Sequence, residues 1–93
     1  MKRIPNKQSC TVRARRFTMK ALKEMYRKQW NLSTAREFGR FFDANVRQFW
    51  KSDLVASTHK RLASDRRLNP YDTLWAPLTV SAGRAYINHK KGE

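Results

Sequence analysis

An apolar stripe at helical spacing, between residues 35 and 50, constrains the fold of this chain more than any other feature. Its members recur at intervals of three and four, and they are Ala35, Phe38, Phe42, Val46 and Phe49, widened by Phe41 and Trp50. This period places one apolar face on a helix. The other face is basic, with Arg36, Arg40, Arg47 and Lys51. We therefore expect a long helix that buries one side in a core.

A helix is also predicted before the stripe. Its apolar residues again recur at helical spacing, and they are Met19, Leu22, Tyr26 and Trp30. Thr18 is a suitable cap, so this helix should span Thr18 to Trp30. The helix that carries the stripe should start at Thr34, because Glu37 three residues later completes a capping box.

One more helix is predicted after the stripe. Residues 51–53 offer a break and a new cap, and helical spacing then continues from Leu54 to about Arg67. Pro70 should stop the helix, because proline disfavours the helical conformation of the preceding residue. Residues 71–77 are expected to form a loop that packs Leu74 and Trp75 against the helices.

The two ends of the chain are predicted to be less regular. Residues 9–17 alternate loosely between apolar and polar types, which indicates a weak strand or an extended basic segment. Residues 78–80 and 84–87 flank Ser81-Ala82-Gly83, a pattern that allows a small β-hairpin. The predicted fold is therefore mainly α: a small three-helix domain with a basic extended N-terminal arm and, where the pattern holds, a C-terminal β-hairpin. The expected divisions are an arm over 1–17, one helical domain over 18–87 and a flexible tail over 88–93.

Charge points to the class of partner. Twenty-one Lys and Arg against seven Asp and Glu give a net charge of +14, and residues 1–28 supply +9 of it, with Glu24 as their only acid. A surplus of this size destabilises a compact chain unless an anionic partner offsets it, and nucleic acid is the commonest such partner. The charge therefore favours a nucleic-acid-binding protein.

The string Ala35-Arg36-Glu37-Phe38-Gly39, followed by Val46-Arg47 and Phe49-Trp50-Lys51, resembles the helix-turn-helix of transposases and small repressors. The resemblance implies a turn at Gly39 and a second helix capped by Asp43. It also implies that four side chains face the major groove: Asn45, Arg47, Gln48 and Lys51. The alternative is that Gly39 is tolerated inside one continuous helix, and the unbroken apolar period favours this alternative.

Double-stranded DNA is the first predicted partner, bound through phosphates with helix-turn-helix readout. Structural RNA, as in a ribonucleoprotein subunit, is the second. An alternative of another class is a small inhibitor or adaptor that occupies an acidic groove of a nucleic-acid-handling protein. The candidate nucleic-acid-binding residues are Lys2, Arg3, Lys7, Arg13, Arg15, Arg16, Lys20, Lys23, Arg27, Arg36, Arg40, Asn45, Arg47, Gln48, Lys51, Lys60 and Arg61. The sequence does not indicate an oligomeric state.

No catalytic or metal-binding pattern is recognisable in the sequence. His59 and His89 lie far from Cys10 and lack metal-ligand spacing, and the three glycines are too scattered for a phosphate loop. We therefore expect no enzyme activity and no cofactor. The single cysteine indicates a reducing compartment, and neither a signal-peptide pattern nor a membrane-spanning apolar run is present. The expected location is the cytoplasm or the nucleoid or nucleus.

Overall fold

The computed structural model describes residues 7–92, and this part of the chain is mainly helical, as predicted. Helix α1 spans Lys7–Tyr26 and continues into a 3-10 turn at Arg27–Gln29. The other helices are α2 (Leu32–Trp50), α3 (Asp53–Ser64), the single turn α4 (Pro70–Thr73) and α5 (Trp75–Lys91). The expected set of three helices therefore becomes four long helices and one short one.

Helix α2 carries the apolar stripe and confirms its helical period. Phe38, Phe42 and Phe49 are buried, and Phe41, Val46 and Trp50 pack against the core while partly exposed. Phe38 meets the ring of Tyr86 from α5 edge to face, at a centroid distance of 5.4 Å. A buried aromatic side chain of this kind contributes about 1.5–3 kcal/mol through apolar burial. The stripe is therefore the centre of the core.

The start of α2 differs from the predicted capping box. Asn31 is the N-cap, and its side-chain oxygen accepts a hydrogen bond from the backbone N–H of Thr34 at 2.9 Å. Thr34 thus lies inside the first turn, and Glu37 pairs with Lys90 of α5 at 3.5 Å instead of closing a capping box. Both Asn and Thr are good N-caps. In this helix the earlier residue, Asn31, takes that role and accepts from the N–H of Thr34.

Helix α1 corrects the prediction of an extended arm over residues 1–17. Lys7 to Phe17 are helical, so α1 begins well before the predicted Thr18; Lys2 and Arg3 lie outside the described residues. The buried positions Cys10, Ala14, Thr18 and Leu22 follow one another at a spacing of four. Two of these side chains are small and the third is a threonine, so the apolar face is faint in the sequence. The small residues permit close packing on α5, where the Thr79 hydroxyl donates to the carbonyl of Ala14 at 3.3 Å.

Helix α5 corrects the predicted hairpin and tail. No residue from 7 to 92 is in a strand, and residues 78–80 and 84–87 belong to one helix that continues through Lys91. Leu78, Ala82 and Tyr86 are fully buried at a spacing of four. Gly83 was expected in a turn, but it lies within this helix near the Thr18 side chain. Packing of α5 on α1, α2 and α3 outweighs the weak local preference for a turn.

The segment between α3 and α5 is more helical than the predicted loop. Helix α3 is capped by Ser52 and ends at Ser64, before the expected Arg67. Pro70 begins α4 rather than only ending a helix, because the first position of a helix needs no N–H donor, and Asn69 caps it. Leu74 is buried and Trp75 packs against the core, as predicted.

Candidate nucleic-acid interface

A groove follows the line where α1 and α2 meet. At one end, Lys23 of α1 lies beside Leu32 at the start of α2. At the other end, Lys7 lies beside Trp50 at the end of α2. The two helices are therefore antiparallel, and at about 1.5 Å per residue the distance from Lys7 to Lys23 along α1 is about 24 Å. We call this feature the α1/α2 groove.

The α1/α2 groove gathers much of the positive charge of the chain. Nine described basic residues line its depressions: Lys7, Arg15, Arg16, Lys20, Lys23, Arg36, Arg40, Arg47 and Lys51. Within residues 7–92, Asp43 is the one acid that lines them. Eight of the nine basic residues are exposed and Arg15 is half-buried. A surface this one-sided concentrates anions from solution.

Helical spacing explains how the basic residues of each helix come to line the groove. On α1, Arg16, Lys20 and Lys23 are four and then three residues apart, which puts them on one face. On α2, Arg36 and Arg40 are one turn apart on the face opposite the buried phenylalanines. The depression lined by the α1 row adjoins the one lined by Arg36 and Arg40, because Ala35 borders both.

Gly39 lies at the middle of the groove and is not a turn. Helix α2 continues through Gly39 without a break. The chain therefore makes no turn at Gly39, and Asp43 does not cap a second helix in this segment. A Cβ at Gly39 would lie 2.5 Å from the Nη2 atom of Arg15. The guanidinium of Arg15 therefore lies against α2 at Gly39, where the absence of a Cβ leaves it room. Its Nε lies 3.5 Å from Oδ1 of Asp43, one turn further along α2. Membership of the helix-turn-helix class stays a prediction.

Two of the four residues expected to read bases, Arg47 and Lys51, line the groove, and Asn45 and Gln48 do not. The side-chain amide of Asn45 donates one of its two N–H groups to the carbonyl of Phe41 in its own helix at 2.8 Å. Gln48 is exposed and, like Asn45, does not line the described depressions. Arg47 and Lys51 line the groove beside Trp50. Base reading by these four side chains stays a prediction.

Arg13 is held by the fold on another side of α1. Its guanidinium pairs with Asp72 of α4 at 3.0 Å and lies 4.6 Å from the ring centroid of Trp75, which itself stacks on Phe17. Such contacts fasten α1 to α4 and α5. Arg13 thus has contacts within the fold, and its role as a phosphate ligand stays a prediction. Of the other candidates, Arg27 lies in the 3-10 turn and Lys60 and Arg61 on α3, away from the groove depressions.

Sequence reasoning missed two features of the Lys7 end of the groove. Trp50 is oriented there by a hydrogen bond from its Nε1 to the hydroxyl of Thr11, at 3.0 Å. His59 of α3, considered in the sequence only as a metal ligand, lines the same depression. The one signal in the sequence for this end of the groove is that Trp50 lies close to Arg47 and Lys51. The hydrogen bond from Trp50 to Thr11 could not be predicted, because the pattern of residues 9–17 does not indicate a helix.

Cys10 offers no reactive thiol. It is 1% exposed, and burial raises the pKa of its thiol from 9.0 to about 11, although the nearby Arg13 partly opposes this. A thiol with so high a pKa holds little thiolate at neutral pH. Within residues 7–92, no three His, Cys, Asp or Glu side chains are grouped closely enough to hold a metal ion.

Comparisons give no relative for this chain. No protein-family model, no curated protein and no solved structure matches it. None of the helices in the described part of the chain is both long enough and apolar enough to span a membrane.

Proposed function

We propose that this protein binds nucleic acid through the α1/α2 groove, mainly by contacts to backbone phosphates and without catalysing a reaction. The observation that carries the proposal is the lining of the groove, where nine basic side chains face a single described acid, Asp43. Lys and Arg that neutralise phosphates release condensed counterions, and this release supplies most of the affinity in sequence-independent binding.

Phosphate contact suits this geometry better than base reading. A helix-turn-helix places the start of a recognition helix in the major groove, with its polar side chains free to meet base edges. Here α2 is unbroken through Gly39 and the amide of Asn45 bonds to its own helix. The proposed binding is therefore largely independent of sequence, and the contacts fix position more than they specify bases.

A salt titration tests the proposal. Fluorescence anisotropy of a labelled 20-nucleotide oligomer, as single strand, duplex DNA and RNA, gives the affinity at each salt concentration. If the groove engages about six phosphates, the affinity should fall by about a thousandfold between 50 and 200 mM salt. A flat response for every nucleic acid contradicts the proposal.

Charge reversal locates the binding surface. The double variant Lys20→Glu, Lys23→Glu changes two exposed groove residues, whereas Arg66→Glu, Arg67→Glu makes the same change in net charge between α3 and α4, outside the groove. Both pairs are exposed, so both variants should fold. We expect the groove variant to lose affinity by at least tenfold more than the control. Equal losses would indicate a response to total charge alone.

A further inference from the structure

The end of the α1/α2 groove near Lys7 differs from the rest in having an apolar floor. Val12, Val46 and Trp50 form this floor, and Lys7, Arg47 and Lys51 surround it. The depression has a volume of about 770 Å³, which is within the range of sites that hold small organic ligands. An apolar floor with a basic rim is complementary to a ligand that has a flat apolar part and an anionic part.

The indole of Trp50 is held in place before any ligand arrives. Its Nε1 donates to the Thr11 hydroxyl at 3.0 Å, and that hydroxyl in turn donates to the backbone carbonyl of Lys7 at 2.8 Å. The two hydrogen bonds tie the ring at the end of α2 to the first turns of α1. A ring fixed in this way loses little freedom when a second flat group stacks on it, which reduces the entropy cost of binding.

The face of this ring carries a cation in the present structure. The Nζ atom of Lys7 lies 5.0 Å from the ring centroid of Trp50. Lys7 is exposed at the start of α1, so its long side chain is free to move aside. A base that replaces the ammonium over the ring brings its own phosphate, and the displaced ammonium can pair with that phosphate. The exchange replaces the attraction of the ammonium to a neutral ring by an ion pair with a phosphate.

We propose that this depression binds an unpaired base of a single-stranded nucleic acid, which stacks on Trp50 while Lys7, Arg47 and Lys51 contact the neighbouring phosphates. Every base has an aromatic face, so stacking needs no particular sequence. A base inside a duplex is already stacked and paired, and it reaches such a site only at the cost of leaving the helix. The inference rests on the proposed phosphate binding and adds a preference for unpaired strands.

An abasic oligomer gives the sharpest test, because it keeps the phosphates and removes the bases. Anisotropy with a thymidine 12-mer and with an abasic 12-mer of the same charge, at one salt concentration, measures the contribution of the bases to binding by the unmodified protein. We expect the abasic strand to bind at least tenfold more weakly, since stacking on an aromatic side chain contributes about 5- to 150-fold per base. Equal affinities for the two strands, with the salt dependence intact, overturn the base site and leave the phosphate proposal standing. Absence of binding to either strand overturns the base site, and the salt titrations with duplex DNA and RNA then decide the phosphate proposal separately.

Substitution of Trp50 then assigns the effect to this depression. Trp50→Leu should remove most of the difference between the two strands, and Trp50→Phe should retain part of it because a stacking face remains. Trp75→Leu is the matched control, since Trp75 packs against Arg13 and Phe17 away from the groove. Circular dichroism shows whether each variant is folded. Loss of the difference in the Trp75 variant alone would place the stacking residue elsewhere and overturn the assignment.

Discussion

Asp43→Asn is the most informative single change, because it removes the one described acid from the α1/α2 groove. In the structure, Asp43 Oδ1 lies 3.5 Å from Arg15 Nε, and the two side chains are 68% and 40% exposed. An ion pair this exposed contributes at most about 1 kcal/mol to folding, so the variant should fold normally. Its effect should instead be seen in binding, where the freed guanidinium of Arg15 can meet a phosphate.

The expected size of the gain follows from counterion release. One additional phosphate contact steepens the slope of log affinity against log salt by about 0.9. Affinity should therefore fall about 3.5-fold more between 50 and 200 mM salt than it does for the unmodified protein. At about 100 mM salt, the same contact should raise affinity by about three- to tenfold. Removal of a carboxylate that repels phosphate acts in the same direction.

The control for this variant is Asp65→Asn. It makes the same change in net charge, and the asparagine oxygen can still accept the hydrogen bond that Asp65 Oδ1 takes from the backbone N–H of Arg67 at 3.0 Å. Asp65 follows α3 and does not line the groove depressions. Anisotropy titrations of both variants over the same salt series make the comparison. The reasoning is refuted if Asp43→Asn gains no more affinity than Asp65→Asn.

Three further changes test the structural assignments. Gly39→Ala should stabilise the protein by up to about 1 kcal/mol in urea unfolding, since alanine favours the helix and the only nearby obstacle is the mobile end of Arg15; a clear loss of stability would show that the guanidinium is fixed there. Arg13→Gln should lower stability by about 1 kcal/mol and leave the affinity for nucleic acid nearly unchanged, and a large loss of affinity would contradict its structural role. Because burial raises the pKa of Cys10 to about 11, its contribution to stability is complete below about pH 9 and is lost as pH rises through 11. The free energy of unfolding should fall more steeply over that interval than in Cys10→Ala, by about 2–3 kcal/mol in total, and equal slopes would contradict the burial of the thiol.

The sequence predicted α2 well because its apolar face is built from large side chains. Phenylalanines at intervals of three and four leave little ambiguity about the period, and Gly39 is absorbed within the helix. The start of α1 was not predictable in the same way. Its buried face there consists of Cys10 and Ala14, which are small, and the loose alternation of apolar and polar residues over 9–17 is typical of an extended segment.

Helix α5 was missed for a related reason. Ser81 and Gly83 are typical of turns, and only contact with three other long helices makes their helical conformation favourable. For the candidate site, the sequence predicted a basic surface but not which basic residues line it. Arg13 and Arg16 are alike in the sequence and both border one depression, yet Arg13 contacts Trp75 and Asp72, whereas Arg16 also lines the groove. Which face of a helix is free depends on its tertiary partners.

The most direct test of the central claim is to map where nucleic acid contacts the protein. Amide chemical shifts of the ¹⁵N-labelled protein, followed during titration with a thymidine 12-mer, report each residue separately. The account predicts the largest changes at residues that line the groove, such as Lys20, Arg40 and Arg47, and little change at Val80 and Arg84 on the exposed side of α5. Changes concentrated on α5, with the groove unaffected, would contradict it.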